Sequence, residues 1–247
     1  MSPKTLNMIN PQYKRLTESE ISSGLLDAPR KVWVQPPIPG DASDCLIFLD
    51  AEIYIERVQS PGIVHDLQAA GQLPSVASVY LSFVDNAARH GDFTCNEKFA
   101  LFIATDLCRW IEQTVGTYQR LFLCGLSLSG LQALFTAIQH PQVFSGVLSQ
   151  SPSAWWNDEW LAASLPRDGV GGRYWISVGN QELQEGVSHP PTGLFQKTSQ
   201  MASVGRLSDK LKESKNDVRY NEFSGGHDPV QWAEELPQAL RWLIKGT

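Results

Sequence analysis

Apolar positions along the chain fall into two alternating patterns. Short runs rich in β-branched and aromatic residues recur at KVWVQ (31–35), CLIFLD (45–50), VASVYLSF (76–83), RLFLCG (120–125), GVLSQ (146–150), RYWISVG (173–179) and VRYNEF (218–223). Several are almost continuously apolar, as strands buried on both faces are. Between them the period lengthens to that of a helix. Over 96–113, Phe99, Phe102, Ile103, Leu107, Trp110 and Ile111 share a face, and over 130–140 Leu131, Leu134, Phe135 and Ile138 do the same. The closing stretch, 229–244, carries Trp232, Leu236, Leu240, Leu243 and Ile244 on one stripe. Strands alternating with helices predict an α/β fold with a mainly parallel central sheet and helices on both faces.

The breaks in the pattern read as loops inside one domain. QPPIPGDAS (35–43) and the segment around Ser188-His189-Pro190-Pro191 both have strands continuing on either side. PRDGVGG (166–172) is Gly-rich but precedes a strand. A phosphate-binding loop needs its glycines after a strand and before a helix, so this one reads as a surface turn. No fixed-period repeat appears. The 247 residues therefore read as one domain, with 1–29 as an N-terminal extension packing on it.

Composition narrows the classes of function. With 42% hydrophobic and 19% charged residues the chain can build a full core. A formal net charge of −6 argues against nucleic acid as a partner, which needs a basic face. No apolar run approaches the roughly 20 residues that cross a bilayer, so no membrane association is expected. The opening MSPKTLNMINPQYKRL lacks the apolar segment of a secretion signal, which points to a cytoplasmic protein. Cys45, Cys95, Cys108 and Cys124 form no CxxC pair and sit beside apolar residues, as core thiols in a reducing compartment do. The histidines are scattered without HExxH spacing, so neither a metal nor a cofactor is expected.

The chemistry concentrates at LFLCGLSLSGLQALF (121–135). A strand runs to Cys124, an amphipathic helix starts by about Gly130, and Gly125-Leu126-Ser127-Leu128-Ser129 lies between them. This is the strand–turn–helix setting of a G-x-S-x-G nucleophile elbow, with Ser129 in place of the last glycine. The turn is so tight that the residues two before and two after the nucleophile must be small. Gly125 and Ser129 meet that need. Ser129 itself fails the test, because two residues on stands Leu131. Ser127 is therefore the candidate nucleophile, and a helix-capping serine is the plainer alternative.

In this kind of fold the partners follow in the order serine, acid, histidine. After the last strand comes Ser224-Gly225-Gly226-His227-Asp228-Pro229, a loop free to turn an imidazole back over the sheet edge, which makes His227 the candidate base. Asp228 fits a helix start better than an acid, with Pro229 at N1 and Gln231 at N3. The acid should follow RYWISVG, where Glu182 is the first candidate and Glu185 the second; an exposed loop carboxylate is the competing reading of Glu182. An oxyanion would be held by the backbone N–H of Leu128 and by a second one after CLIFLD, at Ala51 or Glu52.

These residues carry a resemblance. The chain resembles the enterochelin (siderophore) esterases, in the esterase D group of α/β-hydrolases, over roughly residues 30–245. The matching motifs are the elbow, the stretch Ser149-Gln150-Ser151-Pro152-Ser153-Ala154-Trp155-Trp156, Leu49-Asp50-Ala51-Glu52, Arg89 with Cys95-Asn96, and Gly225-Gly226-His227-Asp228. Ser129 and Ala51 stand where the family has glycine. The resemblance implies a small-molecule ester substrate, a catecholate trilactone or its linear products, in the form of a ferric siderophore. It carries nucleophile, base and acid onto Ser127, His227 and Glu182. It also places Arg89 against an anionic substrate, where a salt bridge with Asp92 or another carboxylate is the alternative. Trp155 and Trp156 could stack catechol rings or serve as core-edge aromatics. Acyltransferases, carboxylesterases and thioesterases share the elbow, and a hydrolase fold without turnover is a reading from another class.

Overall fold

The computed structural model describes residues 16–38, 42–166 and 171–245. In chain order the strands are β1 (Thr17–Ile21), β2 (Arg30–Gln35), β3 (Asp44–Leu49), β4 (Val76–Leu81), β5 (Arg120–Leu126), β6 (Gly146–Gln150), β7 (Arg173–Gly179), β8 (Val187–His189), β9 (Leu194–Gln196) and β10 (Asp217–Phe223). The helices are α1 (Ala51–Glu56), α2 (Ser60–Ala69), α3 (Asn86–Asp92), α4 (Glu97–Phe102), α5 (Cys108–Thr114), α6 (Ser127–Gln139), α7 (Trp156–Ala163), α8 (Gln200–Glu213) and α9 (Pro229–Lys245).

Eight strands form one sheet in the order β1-β2-β4-β3-β5-β6-β7-β10. All pairs from β4 to β10 are parallel, and β1 and β2 join antiparallel at one edge. The period-two alternation of strand side chains builds a core on each face. Along β3, Cys45, Ile47 and Leu49 enter the cluster beneath α4, α5, α6 and α8, whereas Leu46 and Phe48 enter the one beneath α1, α2 and α9. This is the α/β-hydrolase architecture, and it puts the carboxyl ends of β3, β5, β6, β7 and β10 along one edge.

The seven expected strands are β2 to β7 and β10, with ends shifted by at most two residues. Some features differ from expectation. Asp50 lies beyond β3 in the left-handed region (φ 64°). The helix expected over 96–113 is α4 and α5 joined by a π-helical turn, Ile103–Leu107. The helix expected to start by about Gly130 does so, beginning at Ser127 itself. Within the expected N-terminal extension, β1 is a strand of the main sheet, and Ser188-His189 belongs to a β8–β9 hairpin. Of the loops read from sequence, 39–41 and 167–170 lie outside the described residues, as do residues 1–15.

Candidate active site

The elbow is made by close contacts that exclude larger side chains. A Cβ on Gly125 would lie 2.2 Å from the Ser129 carbonyl oxygen, and one on Gly130 would lie 2.9 Å from Ser149 Oγ. Ser127 is the first residue of α6 and sits at φ 53°, a left-handed conformation that non-glycine residues adopt only under constraint. Ser129, in the place of the usual glycine, is fully buried and contributes to the constraint. Its hydroxyl donates to Leu126 O at 2.8 Å and accepts the Leu126 N–H at 3.0 Å, tying the strand end to the first helical turn.

Two loops bring the other groups to the elbow. The Gln181 N–H bonds Gly225 O at 2.9 Å, the Asn180 N–H bonds Phe223 O at 2.9 Å, and Asn180 Oδ1 receives the Gly225 N–H at 3.1 Å. The loop after β7 is thus stitched to the loop after β10. As a result His227 Nε2 lies 3.0 Å from Ser127 Oγ, and His227 Nδ1 lies 2.7 Å from Glu182 Oε2. Of the two acids read from sequence, Glu182 is the one beside His227. Glu185 is exposed and receives the Ser199 N–H at 3.4 Å. Asp228 receives the Val230 N–H on Oδ1 at 2.8 Å at the start of α9.

Glu182 is buried, with a side-chain exposure of 3%, and its second oxygen is also fully engaged. Oε1 accepts from Ser151 Oγ at 2.6 Å and from the Gly179 N–H at 2.7 Å. Ser151 in turn accepts the Trp232 indole N–H at 3.1 Å, and the Trp232 ring meets the His227 ring edge-on at 4.9 Å. Ser151 and Trp232 did not emerge from the sequence as site residues, although Ser151 lies inside the distinctive SQSPSAWW run. Ser153 of the same run lies 3.5 Å from Ser127 Oγ, and its N–H bonds Ser127 O at 3.0 Å.

Beside Ser127 opens a cavity of about 490 Å³. Its walls include Arg89, His90, Leu128, Trp155, His189 and Gln200. Trp155 stacks flat on His189, with centroids 5.0 Å apart, and its indole N–H is held by Gln200. Trp156 is not among the lining residues and packs edge-on against Trp160 at 6.1 Å. Arg89 is bound bidentately to Asp50, at 2.6 and 2.5 Å, and Arg30 takes Asp92 at 2.8 Å. The carboxylate partner of Arg89 is therefore Asp50 and not Asp92. Ala51 and Glu52 open α1 directly after Asp50 and are likewise outside the lining. Ala51 is buried, and the Glu52 carboxylate accepts from the Ser82 hydroxyl. Burial raises the Glu52 carboxyl above its ordinary value, and the Ser82 bond opposes that rise. Burial, then Arg89 and His189, holds His90 below the ordinary histidine value.

Among the described residues, no group of three or more His, Cys, Asp and Glu side chains could hold a metal ion. No described helix is long and apolar enough to cross a membrane.

The chain has the α/β-hydrolase fold, a mainly parallel, doubly wound sheet with Ser127 at its carboxyl edge. Its family follows from comparison: the sequence profile described as "Putative esterase" matches residues 23–243, and the chain belongs to that family. Among curated proteins it is 25% identical to the iron(III) enterobactin esterase of Dickeya dadantii, over 96% of this chain and 56% of that protein. The iron(III) enterobactin esterase of Escherichia coli K12 gives 25% identity over 93% of this chain and 58% of the other. The chain thus spans little more than half the length of these relatives. Among solved structures, the enterobactin esterase of Shigella flexneri crystallised with 2,3-di-hydroxy-N-benzoyl-glycine superposes with a TM-score of 0.80 at 23% identity. That match covers 97% of this chain and 63% of the other. The siderophore hydrolase EstA of Aspergillus nidulans gives a TM-score of 0.71 at 15% identity, covering 99% and 98%.

Proposed function

We propose that this chain is a serine esterase that hydrolyses the ester bonds of a catecholate siderophore or a closely related aryl-substituted ester. The row Ser127–His227–Glu182 carries the reading. Nδ1–H of His227 donates to the buried Glu182 carboxylate, which leaves Nε2 unprotonated and directed at the Ser127 hydroxyl. As Ser127 Oγ attacks the ester carbonyl, Nε2 takes its proton, and Glu182 stabilises the imidazolium that forms. The oxyanion is held by the Leu128 N–H in the first turn of α6, where helix N–H groups have no internal partner. The family resemblance assigns the second donor to the Ala51 or Glu52 N–H at the start of α1, beside but outside the cavity wall. The imidazolium then protonates the departing serine alcohol of the siderophore. Water, deprotonated by His227, cleaves the acyl-enzyme and regenerates Ser127.

Ser151 and Trp232 act as positioning residues in this scheme. Ser151 fills the second oxygen of Glu182, and Trp232 fixes Ser151 and abuts the imidazole. The flat Trp155–His189 pair offers a face for an aromatic ring of the acyl group. The relatives named as enterobactin esterases support the substrate class.

The test is chromatographic and mass-spectrometric product analysis of a catecholate trilactone incubated with the wild type and with Ser127→Ala, alongside labelling by a fluorophosphonate. The expected result is ring opening and labelling by the wild type alone. Labelling with no ring opening would move the substrate to simple acyl esters or thioesters. Transfer to an added alcohol would mark an acyltransferase, and absence of both labelling and turnover would mark a binding protein.

A further inference from the structure

A cavity that receives a polyanion must present positive charge that is not already committed. Among the described residues, Arg89 is the one Lys or Arg side chain in the wall of this cavity. Its guanidinium spends two N–H groups on Asp50, at 2.6 and 2.5 Å, and Asp50 is completely buried. A carboxylate with no access to water has no other source of compensation, so it cannot release Arg89 to a substrate without a large desolvation penalty. The rings of Phe83 and Phe93, centred 5.9 and 5.7 Å from the guanidinium carbon, hold the arginine from the sides. The pair is therefore close to neutral as seen from the cavity.

The remaining charge there is negative. Glu182 lines the cavity and is bonded to an imidazole, a hydroxyl and a backbone N–H, none of which is a fixed cation. The rest of the wall mixes apolar side chains, Leu128, Val187 and Leu194, with imidazoles at His90 and His189 and amides at Gln181, Gln184 and Gln196, and among the described residues it contains no other Asp, Glu, Lys or Arg. His90 Nδ1 and His189 Nε2 are buried without a protein partner, as hydrogen-bonding positions for a neutral polar ligand would be. Arg57, the other arginine near the oxyanion loop, is exposed and outside the wall. The chain as a whole carries −6.

Resting on the esterase reading above, we propose that this cavity takes uncharged esters and discriminates against polyanionic ones. An iron-free catecholate ester is then a better substrate than its ferric complex, in which deprotonated catechols around Fe(III) make a trianion. Neutral phenolic hydroxyls can hydrogen-bond to the imidazoles and amides, whereas a trianion meets the uncompensated field of Glu182 and an acidic surface.

The experiment compares kcat/KM of the wild type for two matched pairs at low and high ionic strength. One pair is the iron-free and the ferric trilactone. The other is p-nitrophenyl butyrate and the p-nitrophenyl monoester of glutaric acid, neutral and anionic esters of similar length. The expected result is at least about a tenfold preference for the neutral member of each pair, with salt raising the rate of the anionic member by screening repulsion. Asp50→Asn should uncover the Arg89 charge while keeping a residue suited to the left-handed conformation, and should narrow the ferric-to-iron-free ratio. Gln184→Lys, on an exposed wall position, should narrow it independently should the first variant not fold. Equal or better turnover of the anionic members, slowed by salt, would overturn the inference and leave the esterase reading intact. Failure of every ester, with no labelling by fluorophosphonate, would overturn that reading and this inference with it.

Discussion

The two ends of the central sheet handle the same chemistry differently. Strand β3 is bracketed by aspartates, Asp44 at its start and Asp50 just past its end, each wholly buried and each held by an arginine. At the amino end, Arg120 binds Asp44 at 2.8 and 2.6 Å from a side chain 43% exposed, and water can share the guanidinium. At the carboxyl end, Arg89 is only 14% exposed and faces the cavity. The backbone differs in the same sense. Asp50, Ser127 and Ser151 all take positive φ, at 64°, 53° and 44°, just beyond β3 or on the first residues beyond β5 and β6. At these three strand ends, strain that a regular strand-to-helix turn would avoid lies beside the serine, the acid's support and the cavity.

The largest effect belongs to the candidate nucleophile. Ser127→Ala should lower kcat for the ester substrate by about 10⁶-fold, as removal of a triad nucleophile does elsewhere. The same change relieves neither the elbow nor its packing, so the melting temperature should move little. A loss of only a few-fold would mean that the elbow serine is a helix cap. Glu182→Gln comes next, with about a 10⁴-fold loss in kcat, because an amide cannot fix the His227 tautomer or stabilise its cation. If the variant retains most of its activity, Ser127 and His227 work as a dyad.

The comparison itself is sharpened by cutting the aspartates. Asp50→Ala should destabilise the fold by about 3–5 kcal/mol, the effect of stranding a buried charge. Asp44→Ala should have a smaller effect, because Arg120 can turn to solvent. Chemical denaturation of the two variants, read at equal m-value, checks the order. Equal losses would show that the two ends are energetically alike.

Much of the fold was legible because its central strands are nearly all apolar and its main helices carry clear stripes. What was missed has a physical reason. β1, TESEI, buries only Ile21 and pairs at the sheet edge, so it has almost no hydrophobic signal. α8 turns Gln200, Ser203 and Ser208 inward beside Val204, Leu207 and Leu211, and small polar residues blur the stripe. At the site, the serine and histidine could be read because tight turns leave glycine signatures around them. Ser151 and Trp232 could not, since their roles depend on loops meeting across the sheet. The partner of Arg89 was obscured by distance along the chain: Asp50 lies 39 positions away, whereas Asp92 lies nearby.

The carboxyl end also holds a charge at a stability cost that pH can reveal. Burial raises the Glu52 carboxyl above the ordinary glutamate value of 4.5, so its ionised form is disfavoured in the folded state. The stability linked to this group is present in full below that ordinary value and is lost as pH rises through the raised one. Glu52→Gln should therefore be more stable than the wild type near neutral pH. The gap should close as the medium is acidified towards and below pH 4.5. A variant less stable than the wild type at neutral pH would mean that the Ser82 bond outweighs desolvation.

The smallest effect concerns the serine that replaces the elbow's last glycine. Ser129 is not a defect in the motif, because its hydroxyl serves both backbone groups of Leu126 while occupying no space that the turn requires. Ser129→Gly would restore the common pattern but remove those bonds and add backbone freedom in the first turn of α6. A loss of about 1–2 kcal/mol in stability follows from one or two net hydrogen bonds and a helical glycine. Because Ser127 is also fixed by the packing of Gly125 and Gly130, kcat should change by no more than a few-fold. A large drop in kcat with stability unchanged would instead place Ser129 in the chemistry. The elbow's precision would then rest on that one hydroxyl rather than on the close approach of strand and helix.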